Sequence, residues 1–357
     1  MLGLVGARGV GKTTLVLQHI KQNLHPSEAL YVQADDLYFN THSLVDFADR
    51  FTKLGGKYLF IDEIHKYEGW SQNLKLIYDQ NPELKVVFTG SSVLDILKGS
   101  ADLSRRAVIY RMQGLSFREY LHFFHHIQFE PFVLQDIVNH KIAIPNVQHP
   151  LPLFHDYLRR GYYPFGVDEN FEFLLKQVVI NTLEVDIPMY ANMNVATGRK
   201  LKQLLTIIAD SVPFKPNFSD IAKAICASRN NVSDYLLYIE KAGLVMQLRD
   251  AVDGMSGLAK VEKVFLENTN LNYALANETP EIGNVRETFF FNQMRVNHEV
   301  IASSVSDFMI GEMTFEVGGK SKKQKQIASV QNGFVVKDDI EFGYLNVIPL
   351  WAFGLNY

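Results

Sequence analysis

Short apolar runs recur along the first third of the chain. They are Leu2–Val5, Ala29–Gln33, Tyr58–Ile61, Val86–Thr89 and Val108–Arg111, each of strand length and bounded by polar or turn-forming residues. Three stretches with helical spacing separate the first four: Thr13–Asn23, Ser43–Leu54 and Ser71–Gln80. Buried runs alternating with helices predict βαβ units and a parallel sheet with helices on both faces. After Phe117 the pattern turns helical. Glu119–His126 is aromatic-rich, a stretch punctuated by Pro131, Pro145, Pro150 and Pro152 follows, and Phe171–Asp186 predicts one amphipathic helix ending before Pro188. Phe218–Ile225 and Asn230–Leu244 predict two helices joined at Ala227-Ser228, the second closing on Gly243, with Val245–Leu248 starting a strand. Ser219 is a candidate cap for the first helix. From about Phe289 short strands dominate, and no internal repeat or low-complexity tract is present.

At 357 residues the chain is long for a single core and predicts two or three domains. Hydrophobic residues make up 47% and charged residues 21%, which is ordinary globular composition. A formal net charge of -4 weighs against a protein living mainly on contacts with nucleic-acid phosphates. Cys226 is the sole cysteine. It excludes an internal disulfide and a cysteine-built zinc site, suits a reducing compartment, and reads as a small core residue at the end of a helix. No apolar run reaches membrane-spanning length, so a cytoplasmic protein without a membrane partner is expected.

The segment Gly6-Ala7-Arg8-Gly9-Val10-Gly11-Lys12-Thr13 fits G-x-x-x-x-G-K-[ST] between a strand and a helix, the context that pattern needs. Glycines let consecutive backbone N–H groups turn toward phosphates, and the helix that follows offers its positive end to the same anion. Gly6, Ala7, Arg8, Gly9, Val10, Gly11, Lys12, Thr13 and Thr14 are the expected ATP contacts, with Lys12 on the β- and γ-phosphates and the Thr13 hydroxyl on Mg²⁺. Asp62 and Glu63 close an apolar strand. Asp62 is the second expected Mg²⁺ ligand, and Glu63 the base that polarises the attacking water.

Thr89-Gly90-Ser91-Ser92 ends a further strand. If that strand lies beside the Asp62 strand, its hydroxyls reach the γ-phosphate; Ser91 is the first candidate sensor and Thr89 the second, against a plain helix N-cap at Ser91 or Ser92. Arg105 and Arg106 precede the fifth strand. One of them would spread transition-state charge, or the two are surface arginines. His122 and His126 stand at i, i+4 without a third ligand at a familiar spacing, and read as surface or packed histidines.

These motifs, together with Gly114-Leu115-Ser116-Phe117-Arg118-Glu119-Tyr120 and Arg160-Gly161-Tyr162-Tyr163-Pro164, resemble the AAA-type P-loop ATPases of bacteria and archaea that carry a C-terminal domain of unknown function. The resemblance runs to Ile348-Pro349-Leu350-Trp351. It implies an α/β fold: a P-loop NTPase parallel sheet with a helical lid, then a winged helix and a small α+β domain of the PD-(D/E)xK kind. The expected divisions are 1–130 for the ATPase core, 131–212 for lid and linker, 213–275 for the winged helix, and 276–357 for the nuclease-like end.

The helix pair would present Arg229, Asn230 and Asn231 to DNA, or serve protein contact, self-association or internal packing. In the nuclease-like end, Asp307 and Glu316 match metal-binding acids, while Gly318 stands where a lysine is needed and Lys320 lies two residues beyond. Lys322, Lys323 and Lys325 read as a basic loop. The leading expectation is a MgATP hydrolase that couples nucleotide state to rearrangement of the later domains. The alternatives are a nucleotide-regulated DNA-binding protein, with nuclease activity as its extreme form, and a scaffold that its nucleotide only rigidifies.

Overall fold

The computed structural model describes residues 1–90, 103–191, 193–211, 217–251, 260–277, 279–323 and 326–357. They form two compact units. The first comprises Met1–Gly114 with Val185–Met193, and the second Leu115–Glu184 with Asn194–Tyr357.

The first unit is built on β1 (Leu2–Val5), β2 (Ala29–Gln33), β3 (Tyr58–Asp62), β4 (Lys85–Gly90) and β5 (Val108–Arg111), with helices α1 (Lys12–Asn23), α2 (Leu44–Lys53) and α3 (Trp70–Gln80). The strand order is β2-β3-β4-β1-β5, and every pairing is parallel. All carboxyl ends therefore lie along one edge, where Gln33 is level with Asp62 and Val5 with Gly90. The helices form where the sequence punctuates them. Ser43 caps α2 by accepting from the Val45 and Asp46 N–H groups. Leu44 and Ala48 of α2, and Trp70, Leu74 and Ile77 of α3, join Leu59, Ile61, Val86 and Phe88 of the sheet in one apolar core. That burial supplies the main drive for this unit.

In the second unit the helix Phe117–His125 opens with a reciprocal capping box, the Ser116 hydroxyl taking the Glu119 N–H while the Glu119 carboxylate takes the Ser116 N–H. The Ser116 hydroxyl also donates to the Tyr357 carbonyl at 2.7 Å, and Arg118 Nε reaches the same oxygen at 2.8 Å. The most distinctive signature of the sequence is thus a structural knot that holds the chain end. Gly161 belongs to it as well: a Cβ there would lie 2.5 Å from Tyr157 and 2.7 Å from Tyr120.

The helix expected to run from Phe171 to Asp186 is α-helical over Phe171–Asn181 and becomes a π-helix over Thr182–Asp186. The next element, Ile187–Tyr190, carries Pro188 in its first turn, where no backbone N–H is needed.

Farther along, the helices Phe218–Ala224 and Arg229–Lys241 are followed by an antiparallel pair, β6 (Val245–Arg249) and β7 (Val261–Leu266). Asn217, not Ser219, caps the first of these helices. Cys226 is exposed, with φ 50 in the turn after that helix; the turn's left-handed backbone carries its side chain outward, so the core placement is corrected. The unit ends with the helix Ile282–Met294 and strands β8 (Ile301–Ala302), β9 (Phe308–Ile310), β10 (Met313–Gly318), β11 (Gly333–Lys337) and β12 (Val347–Pro349). Their order is β12-β11-β10-β9-β8, with the β10, β11 and β12 pairings parallel and the others antiparallel. Among the described residues, no helix is long and apolar enough to cross a membrane.

Candidate nucleotide site

The loop between β1 and α1 owes its shape to glycines placed for different reasons. Gly9 and Gly11 have φ 88 and 101, which disfavours any residue with a side chain. Gly6 is needed for space instead, since a Cβ would lie 2.3 Å from the backbone oxygen of Met112 just after β5. Gly11 precedes α1 without a side-chain cap, so the first N–H groups of a twelve-residue helix face the loop.

Lys12 is buried, and its ammonium donates to the loop carbonyls of Gly6 at 3.0 Å and Ala7 at 2.8 Å. Burial pulls its pKa down to about 8, while Glu63 and Asp62 oppose that shift. Among the described residues the hydrogen-bond partners of Lys12 are neutral carbonyls, which a buried ammonium is well placed to exchange for phosphate oxygens.

Asp62 ends β3 beside this loop, buried and surrounded by hydroxyls. Its Oδ2 accepts from Thr13 Oγ1 at 2.8 Å and from the Tyr31 hydroxyl at 2.7 Å, and its Oδ1 accepts from Thr89 Oγ1. Burial first, and then the bond to Asp62, push the Tyr31 phenol up to about 12, so it remains a donor. The Thr89 hydroxyl in turn accepts the Glu63 N–H at 3.2 Å. Thr89 therefore ties both acidic residues to β4, a role that differs from the γ-phosphate sensor for which it was the second candidate. Ser91, the first candidate, lies outside the described residues, as do Ser92 and Lys325.

Glu63 takes a left-handed backbone, φ 52. His65, whose side chain is fully buried, lies 3.5 Å from its carboxylate. Burial, then Lys66 and Lys12, pull the imidazole down to about 4, so it is neutral near pH 7. Arg8 pairs with Asp186 at 3.2 Å. Tyr31, His65 and Asp186 carried no motif signal in the sequence; only the sheet register and the chain's return bring them here.

The two arginines part company. Arg106 forks onto Asp79 of α3, with Nε to Oδ1 at 2.9 Å and an Nη to Oδ2 at 3.0 Å, whereas Arg105 is exposed. Arg229, Asn230 and Asn231 are exposed at the start of their helix, and His122 and His126 are exposed.

At the C-terminal sheet, Asp307 accepts from the Val317 N–H at 2.9 Å and from Lys263 at 3.4 Å. Lys263 also bonds Glu287 at 2.9 Å. β10 stops at Gly318, so Lys320 falls off the strand and is exposed. Lys322 takes that ground: its stem lies where a Cβ on Gly318 would be, and its ammonium is 3.1 Å from Glu316.

Residues 1–121 match the family model of an AAA domain, and residues 151–281 match a domain of unknown function (DUF8612). An uncharacterized protein of Methanocaldococcus jannaschii is 26% identical over 266 residues, which is 69% of this chain and 56% of the relative. The chain thus spans little more than half of that relative's length. Among solved structures, the Walker-type ATPase of Pyrococcus abyssi is similar at 14% identity and a TM-score of 0.42, covering 77% of this chain and 90% of that one. PCH-2 of C. elegans is similar at 14% identity and a TM-score of 0.26, covering 66% and 61%. The AAA-domain match coincides with the parallel sheet and its glycine loop, an arrangement that fits a P-loop NTPase.

Proposed function

We propose that the protein binds and hydrolyses MgATP at the Gly6–Thr14 loop and couples nucleotide state to rearrangement of its later segments. The observation that supports this best is the convergence of Lys12 and Thr13, from the start of α1, with Asp62 and Glu63, from the end of β3, at the carboxyl edge of one sheet. A hydroxyl and a carboxylate oxygen 2.8 Å apart, Thr13 and Asp62, are the hard donors that suit Mg²⁺, and these two residues would hold it. Bound there, the ion supplies positive charge against the β- and γ-phosphates.

The remaining work falls to the chain. Lys12 exchanges loop carbonyls for phosphate oxygens, and the α1 N–H groups orient the phosphates. Thr89 and Tyr31 keep Asp62 an acceptor fixed in place, and Glu63 takes the proton from the attacking water. Ser91 remains our proposed contact to the γ-phosphate. With Arg106 engaged on Asp79, Arg105 is the arginine we assign to transition-state charge.

A second reading gives the helices Phe218–Ala224 and Arg229–Lys241 with β6 and β7 the role of a winged helix that contacts DNA. The exposure of Arg229, Asn230 and Asn231 favours it. In both readings the C-terminal sheet is a degenerate PD-(D/E)xK-like domain. ATP titration of Lys12→Ala tests the proposal. We expect binding to be lost, and undiminished affinity would overturn the assignment. Turnover measured with and without DNA separates the two readings.

A further inference from the structure

The base assigned above does not stand alone. After Glu63 the chain makes a 3-10 turn, Ile64–Lys66, and the left-handed backbone at Glu63 starts that turn. The turn brings its own side chains back toward the glutamate. Lys66 Nζ lies 3.8 Å from Glu63 Oε2, and His65 Nε2 lies 3.5 Å from the same oxygen. The Lys66 ammonium is anchored at 2.5 Å on Oδ2 of Asp35, which follows β2, the strand beside β3. One lysine thus spans a carboxylate that serves as anchor and a carboxylate assigned to chemistry, in the turns that follow two neighbouring strands. The Lys66 side chain is 34% exposed and that of Asp35 43%, so solvent partly screens this pair and its contribution is one of geometry more than of stability.

We propose that Lys66, anchored on Asp35, is a positioning residue that fixes the Glu63 carboxylate for activation of the attacking water. The inference rests on the reading of Glu63 as the base. A carboxylate on a glutamate side chain rotates about three bonds, and only some of its orientations face a water beside the γ-phosphate. An ammonium held from the neighbouring strand restricts that choice before substrate arrives. The fixed point is Asp35: without it, the lysine would have to be ordered together with the group it orders.

The test compares kcat and KM for ATP, with Mg²⁺, in Lys66→Met, Lys66→Arg and Asp35→Asn. We expect Lys66→Met to lower kcat roughly tenfold to a hundredfold with KM within about twofold of the parent. Lys66→Arg should retain most of the rate, and Asp35→Asn should fall between them. In a Glu63→Gln background Lys66→Met should cause no further loss, because the two residues act as one unit. If Lys66→Met fails to fold, Asp35→Asn in the same background carries the test. An unchanged or raised kcat in Lys66→Met, or full additivity with Glu63→Gln, would overturn the inference. An active Glu63→Gln would remove the reading of the base itself; an inactive Glu63→Gln beside a fully active Lys66→Met would remove this inference alone.

Discussion

The hydroxyl of Thr13 donates to the carboxylate of Asp62 at 2.8 Å, although the two residues are 49 positions apart in the chain. One belongs to the first turn of α1 and the other ends β3, so the bond reports how the parallel register aligns the loop with its acidic strand. Thr13→Val keeps the size and removes the hydroxyl. We expect its Mg²⁺-dependent ATP turnover to fall about tenfold or more, while Thr13→Ser retains most of it. A steady-state assay across a Mg²⁺ series checks this; a Thr13→Val protein with the parent's Mg²⁺ dependence would refute it.

Thr89 serves Asp62 and Glu63 at once and is almost fully buried. Thr89→Val leaves a buried acceptor and a backbone N–H each short of a partner, at a cost of roughly 1–3 kcal/mol. The expected result is a lower thermal midpoint together with slower turnover, read by calorimetry and by the ATPase assay. A variant as stable and as fast as the parent would show that this hydroxyl holds nothing in place.

In the second unit, Asp307 already accepts from Lys263 and the Val317 N–H, and Glu316 is paired with Lys322. With both acids already engaged by lysines, we expect no cleavage of single- or double-stranded DNA with Mg²⁺ or Mn²⁺. Metal-dependent cleavage that disappears on Asp307→Ala or Glu316→Ala would contradict this.

The N-terminal sheet was legible because its information is local. Each strand is a short apolar run closed by a turn, and β1, β2 and β5 have the bounds the runs suggest. The loop was legible because φ above zero demands glycine at Gly9 and Gly11. Relationships that depend on tertiary approach were not. Nothing near Arg106 in sequence points to Asp79, and nothing near Gly318 says that Lys322 will fold back over it. The run from Phe171 ends at Asp186 as Pro188 suggested, but its last turn is a π-helix, which the spacing of apolar residues did not show. The Gly114–Tyr120 signature read as a mark of kinship, while its physical task is to cap a helix and hold the Tyr357 carbonyl.

The most direct measurement is MgATP turnover and ATP binding in Glu63→Gln. The amide keeps the size of the side chain and loses its basicity. The account predicts binding within a few-fold of the parent and turnover reduced roughly a hundredfold or more. Turnover equal to the parent's, with binding intact, would contradict it.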